Sequence, residues 1–237
     1  MNKTFKLKSL LLSMVVAGAA TASIAPTAAQ AGVSANVGVV SNYIFRGVAQ
    51  SNFDDGDGST TSAPSASVGL DYEDDSGLYI GTWVADVERG LEYDLYAGWG
   101  GNFDDVAVGI GGTYYGYTHE AFDTSYTELN LSLGYEMFSV GYDLGKYEDG
   151  NGPGDDADYD HMYVSAEYES FSATIGQLDG NKDADDDKVT YIDLGFSTEL
   201  AAGIDGSVNY INSSYEESGK PSESFLVFGL SKSFDIM

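Results

Sequence analysis

Glu128-Leu129-Asn130-Leu131-Ser132-Leu133-Gly134-Tyr135-Glu136 alternates without interruption: Leu129, Leu131, Leu133 and Tyr135 occupy one set of positions, and Glu128, Asn130, Ser132, Gly134 and Glu136 the other. In extended chain successive Cβ atoms point to opposite faces, so these residues form a strand with one apolar and one polar side. Wound into a helix, the same order would spread both kinds of residue around the axis.

The split recurs on either side of this stretch. Ala66, Val68, Leu70 and Tyr72 oppose Ser65, Ser67, Gly69, Asp71 and Glu73. Leu91, Tyr93, Leu95, Ala97 and Trp99 oppose Glu92, Asp94, Tyr96 and Gly98. Met162, Val164, Ala166 and Tyr168 oppose His161, Tyr163, Ser165 and Glu167. Segments of this kind predict about twelve strands, at 33–47, 64–73, 78–87, 91–100, 106–117, 126–136, 138–147, 160–169, 171–178, 189–198, 203–212 and 223–234. Most approach the roughly 9 to 11 residues with which a tilted strand crosses a bilayer.

The connections differ in kind. Short ones fall at 74–77, 101–105, 137, 170 and 201–202, and longer, more acidic ones at 48–63, 118–125, 148–159, 179–188 and 213–222; the short 88–90 breaks the rule. A soluble β-sandwich distributes its turns without regard to side. An outer-membrane barrel puts short turns on the periplasmic rim, long loops outside, and has an even strand count. The expected fold is therefore all-β: a closed antiparallel transmembrane β-barrel of about twelve strands. Tyr43, Phe45, Tyr72, Tyr79, Trp99, Tyr135, Tyr142, Tyr168, Phe171, Phe225 and Phe234, near strand ends, are expected to form interfacial girdles; the competing reading packs them inside a soluble core.

Composition agrees. Among 237 residues, 38 Asp and Glu face 10 Lys and Arg, a net charge of −28 that repels phosphate and argues against a nucleic-acid partner. With no cysteine, disulfide and thiolate chemistry are excluded. Residues 1–31 read as an export signal: Lys3, Lys6 and Lys8 precede the apolar run Leu10 to Ala20, and Ala29-Gln30-Ala31 supplies a small-x-small cleavage site. The barrel domain then spans 32–237. No later stretch has the ~18 consecutive apolar residues of a membrane helix. These features predict delivery to the outer membrane of a Gram-negative cell, with outer-membrane lipids, small solutes and, during biogenesis, the barrel-insertion machinery as partners.

Ser41-Asn42-Tyr43-Ile44-Phe45-Arg46-Gly47-Val48-Ala49-Gln50-Ser51 resembles the signature that opens TorF-type porins, a proteobacterial family of conserved outer-membrane proteins. Gly77-Leu78-Tyr79-Ile80-Gly81-Thr82-Trp83, Glu92-Tyr93-Asp94-Leu95-Tyr96-Ala97-Gly98-Trp99, Tyr114-Tyr115-Gly116-Tyr117 and Tyr126-Thr127-Glu128-Leu129 agree in order. The resemblance implies an outer-membrane barrel with a pore role. The carboxyl end departs from the usual barrel pattern, since Phe234 is followed by Asp235-Ile236-Met237 rather than ending the chain.

Carboxylates on the polar faces cannot face lipid without a cost of a few kcal/mol and must point into water or toward one another. Asp71, Asp94, Glu128, Asp143, Glu167 and Asp193 are therefore candidate lumen or constriction residues. Alternation from Asn36 and Asn42 turns Arg46 inward as well, to brace the wall, to select solutes, or both. Family pattern and facing make Asp94 and Glu128 its expected partners, while Tyr96, Tyr115 and Tyr163 are inward residues large enough to fill a lumen. The acidic wall predicts passive diffusion of small neutral or cationic solutes. A non-conducting structural or adhesive barrel is the alternative.

Other chemistry is poorly supported. Loop runs at 54–58, 155–158 and 183–187 read as solvated charge, and the nearest approach to a calcium loop, Asp179, Asn181 and Asp183, has Ala184 and Thr190 where glycine and glutamate belong. No metal or cofactor motif is present. Catalysis would fall to His119, beside Glu120, or to His161, near Asp158, Asp160 and Ser165; neither spacing matches a barrel hydrolase, so no enzyme is expected.

Overall fold

The computed structural model describes residues 32–54, 60–118, 125–148, 157–180, 188–216 and 221–236. The expected export signal (1–31), His119, Glu120 and most of the acidic loop runs lie outside the described residues.

Twelve strands close into one antiparallel barrel: β1 (Gly32–Val40), β6 (Ser65–Glu73), β7 (Leu78–Val87), β8 (Gly90–Phe103), β9 (Val106–Tyr117), β10 (Ser125–Tyr135), β11 (Phe138–Glu148), β12 (Ala157–Tyr168), β13 (Phe171–Asp179), β14 (Val189–Ala201), β15 (Ile204–Tyr215) and β16 (Glu223–Asp235). Each pairs with its neighbours in sequence, and β1 closes the ring by pairing with both β6 and β16. Closure leaves no unpaired edge, which lets such a sheet sit in hydrocarbon.

The faces segregate as the alternation requires. On β12 the outward Val164 is 55% exposed, whereas the inward His161 is fully buried. Leu129, Leu131, Leu133, Ile175, Leu194 and Phe228 continue the exposed apolar band. A surface this apolar is covered by lipid, not water. One rim carries the short turns, with left-handed residues at Gly77, Asp104, Glu136, Glu169, Ala202 and Gly203; the other carries the long loops, apart from the tight turn at Glu88 and Arg89.

Lumenal tyrosines sit directly across from glycines: Tyr79 from Gly98, Tyr96 from Gly81, Tyr159 from Gly145, Tyr163 from Gly141 and Tyr191 from Gly176. Each ring covers its glycine so closely that a Cβ at Gly141 would stand 2.1 Å from a Tyr163 ring carbon. The high glycine and tyrosine content is thus a packing device that lets large rings lie along the wall.

The first strand departs from expectation. It ends at Val40, not at residue 47, and the chain then folds into the barrel as β2 (Ile44–Phe45) and β3 (Val48–Ala49), followed by β4 (Asn52–Asp54) and β5 (Thr60–Ser62). Ser41 caps the departure, donating its N–H to the Phe228 carbonyl and accepting the Phe228 N–H at its Oγ. The alternation continues past this point because the hairpin is itself two-faced. Ile44 packs against Ile211 and Val227, and Tyr43 against Ala85 and Val87. Tyr43 and Phe45 are consequently lumenal rather than interfacial, and Tyr79 and Phe225 also face inward. Tyr72, Tyr135, Tyr142, Tyr168, Phe171 and Phe234 do lie on the exposed outer face.

Candidate functional site

The β2–β3 hairpin turns on two residues, Arg46 and Gly47, with φ of 49° and 83°. Two positive values are the requirement of the tight hairpin turn whose twist suits flanking strands, and they place Arg46 at the tip. Gly47 is needed for a second reason: a Cβ there would stand 2.7 Å from both Ser213 Oγ and Tyr191 Cβ. Ser213 Oγ donates to the Gly47 carbonyl at 2.7 Å, fixing the tip to the wall. At the neck, Gln50 N donates to the Tyr43 carbonyl, Tyr43 N to Ser51 Oγ, and Ser51 Oγ to Asn42 Oδ1.

Arg46 is 3% exposed. Its Nη1 donates to Glu128 Oε1 at 2.5 Å, and its Nη2 donates to Glu128 Oε2 and to Asp143 Oδ2, both at 3.0 Å. The planar fork thus engages Glu128 in a bidentate pair and reaches the next strand as well. Glu128 also accepts from Tyr115, Tyr159 and Asn130, so its carboxylate is saturated. Asp143 accepts from Asn130 Nδ2 at 2.9 Å and lies 2.9 Å from His161 Nδ1. His161 Nε2 lies 3.0 Å from the Tyr191 hydroxyl, and the imidazole stacks between Tyr163 and Tyr191. One hairpin residue therefore organises a polar network across β9 to β14.

Asp94 stands apart from it. The residue is 1% exposed, and among the described residues neither carboxylate oxygen has a hydrogen-bond partner; Glu92 and Glu128 are the like charges beside it. Glu92, not singled out from the sequence, accepts the Tyr43 hydroxyl at 2.7 Å and so ties the hairpin to β8. Toward the short-turn rim many inward side chains are small, among them Ser132, Ser139, Ser165, Ser172 and Ser207, and Asp71 and Asp193 are only half-buried. Asp71 accepts from Tyr96 and Asn36, and Asp193 accepts from Asn209 at 2.8 Å. Glu167 shares this half-buried setting. The lumen is filled near the long loops and lined with small residues and acids below.

Residues 24–232 match the Gcw_chp family, described as a bacterial protein of unknown function. The chain belongs to that family. No curated protein matches it. Among solved structures it is similar to the COG4313 outer membrane channel from Pseudomonas putida F1, with TM-score 0.55 and 11% identity over 88% of this chain and 97% of that one. It is also similar to the KdgM porin, with TM-score 0.53 and 8% identity over 86% and 99%. At these identities the likeness is one of fold: this Gcw_chp member shares with them a closed antiparallel β-barrel.

The candidate residues named from the sequence divide into two groups in this member of the family. Arg46, Glu128 and Asp143 meet, with Asp94 buried nearby; Asp71, Glu167 and Asp193 line the lower lumen, away from the arginine. The expected Arg46–Asp94 pair does not form. Arg46 sits on a hairpin tip rather than on β1, so strand alternation does not fix its neighbours, and its fork is taken by Glu128 and Asp143. His161 and Ser165 do not pair: Ser165 Oγ lies 3.1 Å from Ser139 Oγ, while both His161 nitrogens are engaged by Asp143 and Tyr191. Glu92 was legible as an inward acid; the tyrosines that satisfy Glu128 carried no signal beyond their facing.

Proposed function

We propose that this protein is an outer-membrane, non-enzymatic porin-like channel, exported by its 1–31 segment, for passive diffusion of small neutral or cationic solutes. The inward hairpin is its constriction. The observation that carries this reading is the buried Arg46 held by Glu128 and Asp143 inside a closed barrel, with Asp71, Glu167 and Asp193 lining the water side beneath. Lumenal carboxylates raise the local concentration of cations and repel anions, and the wall has few basic groups to offset them. The resemblance of residues 41–51 to the TorF-type signature supports a shared pore role, with the signature residues forming the hairpin that narrows the lumen. The barrel fold shared with the KdgM porin and the COG4313 channel agrees with it.

A non-conducting barrel is the second reading, favoured by how fully the hairpin fills the lumen near the long loops: Tyr43, Ile44 and Arg46 are each at most 3% exposed. Planar-bilayer recording of the refolded protein in a salt gradient decides between them. Discrete steps with a cation-selective reversal potential support the channel. Absence of steps in the wild type and in a hairpin-deleted variant supports the structural barrel, and anion preference overturns the acidic-lumen argument.

A further inference from the structure

Between the hairpin and the wall, near the long-loop rim, lies a half-open pocket of about 40 Å³. Six of its lining residues are aromatic: Phe45, Tyr115, Tyr117, Tyr126, Tyr147 and Tyr159. Tyr126 is the hub, with ring centroids 6.0 Å from Tyr117, 4.8 Å from Tyr147 and 5.9 Å from Tyr159, each pair meeting edge to face. Phe45, on the hairpin, packs 5.9 Å from Tyr115 and closes the opposite side. A floor this aromatic exceeds what hairpin packing requires, since Val48 and Leu178 already supply an apolar contact there.

We infer that this pocket is a binding subsite for the alkylammonium head of a cationic solute. The inference rests on the channel reading, because the pocket lies at the mouth of the same lumen, and names the class of solute. Aromatic faces carry negative potential, and several rings converging on one cavity are the usual means of holding an ammonium whose methyl groups prevent it from donating hydrogen bonds. Arg46 also lines the pocket, but its two terminal nitrogens are taken by Glu128 and Asp143, and only its Nε lacks a partner among the described residues. One guanidinium between the carboxylates of Glu128 and Asp143 leaves that cluster net negative, so an incoming cation gains where an anion would lose. The cavity holds roughly three waters, whose combined share of liquid, about 90 Å³, is comparable to a trimethylammonium head.

The test uses choline and its uncharged carbon isostere dimethylbutanol as probes, with the full-length protein refolded in detergent micelles and binding read by ligand-observed saturation-transfer NMR. Choline is expected to bind about tenfold more tightly than the isostere, and Tyr126→Leu or Tyr147→Leu to weaken it by about tenfold while leaving isostere binding within about twofold. Two leucine variants on different strands protect the result against one that fails to fold. Equal binding of charged and uncharged probes makes the pocket merely apolar and overturns the inference, as does no choline binding. Because the readout needs no current, choline binding by a protein that passes none sinks the channel reading alone. Conductance without discrimination between the probes sinks the subsite alone.

Discussion

Arg46 and Glu128, 82 residues apart in sequence, form a bidentate pair in which both side chains are almost wholly withdrawn from water. Removing one partner of such a pair strands the other charge, which costs about 3 to 5 kcal/mol, whereas removing both relieves much of the loss. Arg46→Ala is expected to lower unfolding stability by that amount, and adding Glu128→Gln to recover a substantial part. The same single change frees the hairpin tip, so single-channel conductance should rise. Urea unfolding in lipid vesicles and bilayer recording check the two halves separately; an unchanged midpoint would show that the pair does not anchor the hairpin.

Asp94 supplies the opposite case. Its buried carboxylate has no partner among the described residues and has Glu92 and Glu128 as neighbours, so its charge opposes the fold. Asp94→Asn keeps the shape and removes the repulsion. The expected outcome is a gain of about 1 to 3 kcal/mol in unfolding stability at neutral pH. A loss of stability would mean that an unseen counter-charge sits against Asp94.

Most of the barrel was legible because lipid on one side and water on the other impose a period of two that nothing else in a sequence imitates over twelve segments. β7 and β9 begin and end where alternation and turn residues put them, and β10 and β11 differ by one residue. The hairpin was not legible. Tyr43, Ile44 and Phe45 prolong the apolar character of β1 because the hairpin packs apolar side chains on both of its faces, and Arg46-Gly47 can be read as a turn only once one knows that the strand has already ended. The network around Glu128 was half visible: facing identifies the inward acids, but which of them reach one guanidinium depends on hairpin depth, which no local pattern encodes.

Asp74, in the turn between β6 and β7, accepts hydrogen bonds at Oδ1 from Ser76 Oγ at 2.5 Å, Ser76 N at 2.8 Å and Leu78 N at 3.1 Å. The Ser76 hydroxyl, followed by these backbone donors, holds its pKa below the ordinary aspartate value. A lowered folded-state pKa means that the unfolded chain binds the proton more readily. The stabilisation is present above the usual carboxylate range and disappears as pH falls through the folded value. An NMR titration should find Asp74 titrating below Asp in an unfolded peptide, with the difference reduced in Ser76→Ala, which keeps only the backbone donors. Titration at the ordinary value would contradict the turn geometry.

Gly141 lies under the Tyr163 ring, which in turn stacks on His161. Strand propensity alone favours valine over glycine, so an unconstrained site would gain from Gly141→Val. Here the added Cβ would meet Tyr163 at 2.1 Å, and the ring must leave the wall. The substitution is expected to destabilise the barrel by about 1 to 3 kcal/mol, typical of overpacking, and Tyr163→Ala should relieve most of it. Additive losses in the double variant would dissociate the two residues.

Val164 and Ser165 are successive residues of β12 on opposite faces, the first 55% exposed on the outer face and the second turned to the lumen beside Ser139. A positive charge on the outer face near mid-depth must be dragged out of hydrocarbon, at a cost of about 2 to 4 kcal/mol, while one on the inner face meets water and carboxylates. Val164→Arg should therefore lose that much stability in lipid vesicles, and Ser165→Arg should cost less than about 1 kcal/mol while shifting ion selectivity away from cations. The contrast also separates a lipid-facing wall from a soluble one. Were the exterior bathed in water, arginine at Val164 would be nearly silent and the larger loss would fall at Ser165.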